Sequence, residues 1–311
     1  MRSERLLVSM KHYIGDAVMT EPMLTAVEQT FARVEIHAGG LVPEVLWIPG
    51  TPRKFLTAAK PKKPWEIVEQ ARALRSRSYD VAILVNRSFR SAFTARLAGI
   101  KTRIGHNTEG RGALLTRAVG YDPSRFEVLS LLELSVEAGA KLPERMPTLN
   151  VTAEERTRGA ELAQGAAVGI QPGARWPGKQ LPVDISIDLT RRLIANGETV
   201  ALLGGPEEAE AVGQVISAVG LGTVSLVGKS SLRESLGVLS CMKAMVGSDT
   251  GLMHLAAGVG CPTVTVFGPT SHTKWGHAYS PHRVLAAPDG DMSKVLACDV
   301  MNALQEVLES K

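Results

Sequence analysis

Cysteines, aromatic residues and long apolar runs are all scarce in this chain. Its three cysteines are widely spaced and odd in number, which excludes a disulfide framework and the ligand spacing of a structural zinc site. Aromatic residues make up 5% of the chain and do not alternate with its basic clusters, so nucleic acid is not an expected partner. No apolar run approaches the roughly 20 residues of a membrane span, and residues 1–6 lack the apolar core of a signal peptide. We therefore expect a cytoplasmic protein with reduced thiols.

The length and the charge distribution favour two domains of different character. A chain of 311 residues with 44% hydrophobic residues is too long for a typical single core, and we expect two domains of about 150 residues each. Residues 1–150 contain 22 Lys and Arg against 15 Asp and Glu, whereas the remainder is slightly acidic. The basic first half suits an anionic partner, either a phosphorylated substrate or an acidic membrane surface.

Apolar runs typical of strands alternate with helical patterns in both halves of the chain. The first half begins with a strand pattern at residues 5–10, and the second half restarts at residues 167–170. Between them, residues 141–149 contain two prolines and are typical of a linker. This order predicts an α/β protein with two doubly wound parallel sheets, and domains at 1–148 and 149–311.

The stretch Ser248–Ala257, which reads Ser-Asp-Thr-Gly-Leu-Met-His-Leu-Ala-Ala, follows a buried strand pattern. We predict a strand-to-helix turn with Asp249 as the N-cap. Such a turn lies at the carboxyl edge of a parallel sheet, where ligands bind in open α/β folds. The backbone N–H groups of Thr250 and Gly251 would suit a phosphate or pyrophosphate. The polar His254 in an otherwise apolar helix favours a ligand site over a helix that is merely capped.

Four segments carry glycine turns and charged residues in a characteristic order. They are Ile14–Pro22, Gln171–Arg175 with Lys179 and Pro182, Leu203–Glu208, and Ser248–His254 with Phe267–Thr270 behind it. Together they resemble glycosyltransferase family 9, the heptosyltransferase family, over nearly the whole chain.

This resemblance implies the GT-B architecture, in which two Rossmann-like domains face each other across a cleft. Residues 1–148 would bind the acceptor, and residues 149–311 would bind the nucleotide sugar, with the last helix packing back on the first domain. The reaction implied is an inverting, metal-independent transfer of a heptose from ADP-heptose to a lipopolysaccharide core or another glycan. No cofactor is expected. The expected partners are a nucleotide-diphosphate sugar, an anionic glycan or glycolipid, and, by peripheral contact, the inner face of the cytoplasmic membrane.

Asp16 and Lys179 are the candidate catalytic residues. We predict that Gly15 allows a sharp turn and that Asp16 caps a helix beginning at Ala17. A carboxylate within hydrogen-bonding distance can take the proton of an attacking hydroxyl, and the resemblance implies this role for Asp16. Lys179 would stabilise the negative charge that develops on the departing nucleotide diphosphate.

Two further sets of residues are expected to bind the substrates. The donor-binding set is Gly173, Arg175, Lys179, Glu208, Asp249, Thr250, Gly251 and His254. Glu207 stays an alternative to Glu208 as the acid that binds the ribose. The acceptor-binding set is Lys11, Lys62, Lys63, Arg87, Arg90 and Arg103.

Neither a metal nor a dinucleotide is expected. The triplet Asp289-Gly290-Asp291 looks like an Asp-x-Asp metal motif, but it lies in a polar turn beside Pro288. Gly204-Gly205 lacks the third glycine of a dinucleotide fingerprint.

Two other functions stay open: a GT-B-shaped sugar-nucleotide epimerase or hydrolase, and a non-catalytic sugar-nucleotide binder. The transferase is favoured because a binder needs no base, and an epimerase or hydrolase needs no basic acceptor half.

Overall fold

The computed structural model of the chain divides into two compact units, Met1–Pro147 and Thr148–Lys311. The described residues are 1–51, 53–57, 61, 63–142 and 146–310. Within them, each unit contains one six-stranded sheet. The predicted α/β class with two parallel, doubly wound sheets is confirmed.

Strands and helices alternate in the first unit. Its strands are β1 (Arg2–Ser9), β2 (Phe31–Ala38), β3 (Lys54–Thr57), β4 (Val81–Leu84), β5 (Thr102–His106) and β6 (Arg117–Val119). Its helices are α1 (Ile14–Thr30), α2 (Val42–Val45), α3 (Pro64–Arg75), α4 (Phe89–Leu97) and α5 (Glu127–Glu137). The central strand β4 is apolar at every position because helices cover both faces of a parallel sheet.

The first sheet has the strand order β3-β2-β1-β4-β5-β6, and all its pairings are parallel. The direction of winding reverses between β1 and β4, which are neighbours in the sheet. In open α/β sheets, ligands bind outside the carboxyl ends of the strands at such a reversal. The turns that follow β1 and β4 are therefore the positions at which this unit is expected to bind a ligand.

Helix α1 starts earlier than predicted. It begins at Ile14 with Tyr13 at the N-cap, and Asp16 lies in its first turn without a capping hydrogen bond. The prediction of Asp16 as a cap before Ala17 is wrong, because Gly15 continues the helix rather than forming a turn. The negative charge of Asp16 is nevertheless well placed near the positive end of the helix dipole.

The second unit repeats the same alternation. Its strands are β7 (Val168–Ile170), β8 (Val200–Leu202), β9 (Thr223–Ser225), β10 (Ala244–Ser248), β11 (Thr263–Phe267) and β12 (Arg283–Ala286). Its helices are α6 (Ala153–Ala163), α7 (Val183–Ala195), α8 (Ala209–Val219), α9 (Leu232–Cys241), α10 (Gly251–Gly258), α11 (His272–Trp275) and α12 (Ala297–Glu309). The sheet order is β12-β11-β10-β7-β8-β9, again entirely parallel, and the winding reverses between β7 and β10.

Helix α12 packs into the core of its own unit. Its buried residues Val300, Leu304 and Val307 belong to the apolar cluster that also contains Val264 and Val266 of β11. The apolar face of the last helix therefore contributes to the core of the second unit, and its packing on the first domain stays a prediction.

Helices α6 and α9 approach each other closely at two glycines. A Cβ placed on Gly159 would lie 2.1 Å from the carbonyl carbon of Gly237, and one placed on Gly237 would lie 2.0 Å from the carbonyl oxygen of Glu155. Both distances are far below van der Waals contact, so these main chains meet only because neither residue has a side chain.

Candidate functional site

The polar residues of the second unit gather where its sheet reverses. Gln171 directly follows β7, and Asp249 and Thr250 directly follow β10, the neighbouring strand. Lys179 lies in a short 3₁₀ turn, Pro177–Lys179, on the connection that leaves β7. The carboxyl ends of two adjacent parallel strands therefore bring these side chains together at the position where open α/β sheets bind ligands.

Asp249 is the centre of this cluster. Its Oδ2 accepts hydrogen bonds of 2.7 Å from Lys179 Nζ and 2.7 Å from Thr270 Oγ1. Its Oδ1 faces His254 Nε2 at 3.5 Å. Burial raises the pKa of Asp249, but the contacts with His254 and Lys179 outweigh this effect and hold the pKa below its usual range. Asp249 is therefore a buried carboxylate that keeps a lysine ammonium at the edge of the sheet.

The helix after β10 is capped differently from the prediction. Thr250, and not Asp249, occupies the N-cap position of α10, and Gly251 is the first helical residue. Asp249 makes no cap because Lys179 and Thr270 bind its carboxylate, and the Thr250 hydroxyl donates to Gln171 Oε1 at 2.6 Å. The first backbone N–H groups of a helix lack partners within the helix and can bind an anion.

A second row of hydrogen bonds runs from Thr250 through Gln171 to Glu208, which lies in the connection that follows β8. Gln171 Nε2 donates to Glu208 Oε1 at 3.2 Å, and the backbone N–H of Gly205 donates to Glu208 Oε2. Glu208 is buried whereas Glu207 is exposed, and burial raises the pKa of Glu208. A Cβ on Gly173 would lie 2.5 Å from Glu208 Cγ, so this glycine makes room for the acid.

The loop before Lys179 is open to solvent. Arg175 and Trp176 are both exposed, and Lys179 Nζ lies 5.8 Å from the centre of the Trp176 ring. Of the predicted donor-binding residues, Lys179, Asp249, Thr250 and His254 form one contact network, which Glu208 joins through Gln171. Arg175 lies on the surface of the same loop.

In the first unit, Asp16 belongs to a row of alternating charges. Lys11 Nζ donates to Asp16 Oδ1 at 2.6 Å and lies 3.6 Å from Glu127 Oε1. Glu127 is fully buried, and Arg87 Nη2 donates to both of its carboxylate oxygens at 2.6 and 2.7 Å. The Arg87 guanidinium also stacks on Tyr121, 4.1 Å from the ring centre. Of the residues predicted to bind the acceptor, Lys11 is thereby held against Asp16, and Arg87 against Glu127 in the same row.

A cavity of about 150 Å³ opens at the reversal of the first sheet. Its polar lining includes His12, His37, Gln70, Asn86 and Arg90. Burial, with a smaller contribution from the neighbouring His12, lowers the pKa of His37 to about 4, so its ring is neutral at physiological pH. A polar pocket with the neutral ring of His37 and one arginine can hydrogen-bond hydroxyl groups and hold one anionic group.

The remaining acceptor candidates are distributed differently. Arg90 lines the cavity and donates to the carbonyl oxygen of Pro61. Lys63 precedes α3, and its Nζ lies 4.9 Å from the centre of the Trp65 ring. The guanidinium of Arg103 donates to the carbonyl oxygens of Leu114, Ile100 and Lys101, a geometry that favours a structural role. Lys62 lies outside the described residues.

Neither a metal cluster nor a membrane-spanning helix occurs in the part of the chain that the structure describes. No three His, Cys, Asp or Glu side chains there are grouped so that they could hold a metal ion. Asp289 pairs with Lys294 at 2.7 Å, and Asp291 accepts hydrogen bonds from Ser293. None of the described helices has the length and apolar character needed to cross a membrane.

Several residues of these clusters were not predicted as site residues. Gln171 and Thr270 lie within the segments that carried the family resemblance, yet only their contacts with Thr250 and Asp249 reveal a role. Glu127 reads in the sequence as an ordinary first-turn acid of a helix. His277 contacts His254, but it lies in a stretch of the sequence without any regular pattern.

Comparison with known proteins adds an independent line of evidence. Residues 67–295 match the model of glycosyltransferase family 9 (heptosyltransferase). The chain is 26% identical to lipopolysaccharide heptosyltransferase 2 of Salmonella typhimurium over 290 residues, covering 86% of this chain and 83% of that one. It is 30% identical to lipooligosaccharide heptosyltransferase 2 of Haemophilus influenzae over 237 residues, covering 70% and 68%. Among solved structures, the Escherichia coli ADP-heptose LPS heptosyltransferase II has the same fold, with a TM-score of 0.82, 23% identity and 98% coverage of both chains.

Proposed function

The chain belongs to glycosyltransferase family 9, the heptosyltransferase family, and on this premise we propose that it transfers a heptose from ADP-heptose to an anionic lipopolysaccharide-core acceptor. The reaction proposed inverts the anomeric centre and requires no metal. The observation that carries the proposal is the Lys179–Asp249 pair, which lies beside the N-terminus of α10 at the reversal of the second sheet.

The second unit is suited to hold the donor diphosphate. Lys179 is a cation held within reach of the N-terminus of α10, and both features attract negative charge. As the glycosidic bond breaks, the charge on the diphosphate increases. A pre-positioned ammonium group and unpaired backbone N–H groups stabilise that charge without reorganising. The buried acid Glu208, which follows β8 on the same sheet, is the proposed partner of the ribose hydroxyls.

Asp16 is the proposed general base. Lys11 binds one oxygen of its carboxylate, and the side chain keeps 13% of its exposure, so a hydroxyl can reach it. In the proposed step, the acceptor oxygen attacks the anomeric carbon, its proton passes to Asp16, and the bond to the diphosphate breaks. Attack from the side opposite the leaving group produces the inverted configuration.

The first unit is the proposed acceptor domain. Its polar cavity at the sheet reversal, with Arg90 on the wall and Lys11 and Arg87 in the adjoining turns, offers hydroxyl-binding and anion-binding groups together. The exposed Lys63 and its neighbour Lys62 in the sequence would add charge near a lipid-linked acceptor. These features support a glycan that carries carboxylate or phosphate groups.

We propose a cytoplasmic location with peripheral contact to the inner membrane, based on the basic first half of the sequence. Exposed charges are screened beyond about 8–10 Å at physiological ionic strength, so binding to anionic vesicles should weaken as salt is added. Sedimentation with anionic and with neutral phosphatidylcholine vesicles measures this. Equal binding to both at low salt would contradict the proposal.

The activity is tested with ADP-heptose and two lipopolysaccharide cores, one without heptose and one that already carries a single heptose. Mass spectrometry should detect the addition of one heptose to the acceptor in EDTA-treated enzyme, and NMR of the product should show inversion at the anomeric carbon. Three outcomes would contradict the proposal: free heptose without transfer indicates a hydrolase, isomerised ADP-heptose indicates an epimerase, and donor binding without turnover indicates a binding protein.

A further inference from the structure

A group of three buried histidines and one half-buried tyrosine lies beside Asp249 in the second unit. His254 belongs to α10, whereas His277, Tyr279 and His282 come from the connection between α11 and β12. The three histidines are each at most 6% exposed. None of the last three residues enters the mechanism proposed above, although they are the largest concentration of titratable rings in the second unit.

Hydrogen bonds join Tyr279, His277 and His254 in a single row, and the last of these rings faces Asp249. Tyr279 Oη lies 2.8 Å from His277 Nδ1, and His277 Nε2 lies 2.9 Å from His254 Nδ1. The other nitrogen of His254, Nε2, faces Asp249 Oδ1 at 3.5 Å, an electrostatic contact longer than an ordinary hydrogen bond. Lys179 and Thr270 both occupy the opposite oxygen, Oδ2.

The chemistry of the row decides where each proton lies. Burial raises the pKa of Tyr279, so its phenol keeps its proton and can donate. The direction along the row is set at Asp249: because this acid is ionised, the nitrogen that faces its Oδ1, His254 Nε2, is the one that carries a hydrogen. The Nδ1 of His254 then accepts from His277 Nε2, and His277 Nδ1 accepts from the Tyr279 hydroxyl. Burial, with the nearby His254, holds the pKa of His277 well below its usual range, so this ring is neutral. A neutral imidazole that accepts at Nδ1 must carry its hydrogen on Nε2. That hydrogen points at His254 Nδ1, which leaves the proton of a neutral His254 on Nε2, towards Asp249.

The segment that carries His277 and Tyr279 is fixed in place. His282 Nδ1 lies 3.0 Å from Thr263 Oγ1 of β11, and the backbone N–H of His282 donates to the Tyr279 carbonyl at 2.8 Å. The His282 ring packs edge-on against Tyr279 with 5.0 Å between ring centres. Asp249, His254, Tyr279 and His282 are the titratable groups that face His277.

We propose that His277 and Tyr279 are positioning residues that hold His254 as its Nε2–H tautomer, and thereby orient Asp249 and Lys179 for the donor diphosphate. This inference rests on the proposed donor site. With the Nε2–H of His254 directed at Oδ1, the Asp249 carboxylate has a donor facing each oxygen, so its plane is fixed. The ammonium group of Lys179, which donates to Oδ2, is then held in a single orientation. When Lys179 turns towards a diphosphate, the Nε2–H of His254 still faces Asp249 Oδ1 as a donor.

The test variant is Tyr279→Phe, which removes only the hydroxyl group that starts the row. In ¹⁵N-histidine-labelled protein at neutral pH, the wild type should show His254 as the Nε2–H tautomer, and Tyr279→Phe should show a mixture of tautomers. ADP affinity, measured by calorimetry, should fall about 3- to 10-fold in this variant, the scale of one hydrogen bond. His277→Gln can donate through its amide nitrogen to His254 and should retain more affinity than His277→Leu.

Tyr79→Phe is the matched control, because Tyr79 donates its buried hydroxyl to Glu35 in the first unit. It should change neither the His254 spectrum nor ADP affinity. An unchanged His254 tautomer in Tyr279→Phe would overturn the inference, as would a changed tautomer with unchanged ADP affinity. The proposed function fails separately, if wild-type protein binds neither ADP nor ADP-heptose while its His254 spectrum is as expected.

Discussion

Lys11 Nζ lies 2.6 Å from Asp16 Oδ1, which joins the end of β1 to the first turn of α1. The same ammonium lies 3.6 Å from the fully buried carboxylate of Glu127. Because a cation stands between the two acids, their charges do not repel each other directly. The hydrogen bond from Lys11 also fixes the orientation of the Asp16 carboxylate, which makes no capping hydrogen bond.

Asp16→Asn should lower turnover by roughly 10²–10⁴-fold, because it keeps the size of the side chain but removes the proton acceptor. ADP affinity should stay near that of the wild type. Asparagine keeps an acceptor oxygen for Lys11 and loses only the charge of a partly exposed pair, so the melting temperature should fall only modestly. Asp188→Asn, at an exposed carboxylate paired with Arg192, is the control and should leave turnover unchanged. Near-normal turnover in Asp16→Asn would remove Asp16 from the role of base.

Lys179→Ala should weaken ADP binding by about 1–3 kcal/mol, the scale of a charge-assisted contact. Isothermal titration calorimetry with ADP gives this difference directly. Lys243→Ala removes a lysine of the same unit whose partner, Glu198, is on the surface, and should bind ADP normally. If Lys179→Ala and Asp249→Ala both bind ADP as tightly as the wild type, the donor site lies elsewhere.

The protein should lose stability as the pH falls from 6.5 towards 4. Burial lowers the pKa of His106 and of His282 from 6.5 to about 4. The unfolded chain therefore takes up protons before the folded protein does. The contribution of each neutral ring to the free energy of unfolding is fully present above pH 6.5. It decreases as the pH falls from 6.5 to the folded pKa, by at most about 1.4 kcal/mol per pH unit for each ring.

Urea unfolding across this pH range measures the slope. His106→Gln keeps a donor for the carbonyl of Ser130, which lies 3.1 Å from His106 Nε2, but cannot titrate, so its stability should fall less steeply. The same substitution at the exposed His272 is the control. A slope in His106→Gln as steep as that of the wild type would show that His106 does not remain neutral in the folded protein.

Gly237→Ala should destabilise the second unit by about 1–3 kcal/mol or more, because its methyl group would collide with the main chain of α6. Gly213→Ala is the matched control. Gly213 lies in α8, and a methyl group there would meet no neighbouring element within 4 Å, so alanine should add about 0.5–1 kcal/mol of stability. In denaturant unfolding, the free energy of unfolding should therefore be lower than that of the wild type for Gly237→Ala and higher for Gly213→Ala.

The central strands and the long helices were predictable from the sequence, as was the edge strand β9, whereas the edge strands β3, β6 and β12 were not. β4 and β10 are fully buried; β4 is apolar throughout, and β10 begins with the apolar run Ala-Met-Val. β6 is mostly exposed, and β3 lies in a stretch that reads as a Pro-rich connection. Edge strands are covered on fewer sides, so their sequences need no apolar run, and pairing with a neighbouring strand decides their structure.

The sequence by itself determined the fold class and the turns that carry chemistry, because burial and turn geometry leave local patterns in residue type. Only the tertiary structure decided what those residues do. Lys179 and Asp249 are 70 positions apart, and so their ion pair left no local pattern. The same competition from a charged partner explains the wrong cap at Asp249, which binds the Lys179 ammonium group rather than a backbone N–H group. Asp16 is not a cap because α1 begins two residues before it, at Ile14, and its carboxylate binds Lys11. A carboxylate's local preference for a helix N-terminus is about 1 kcal/mol, which a charged partner supplied by the fold can outweigh.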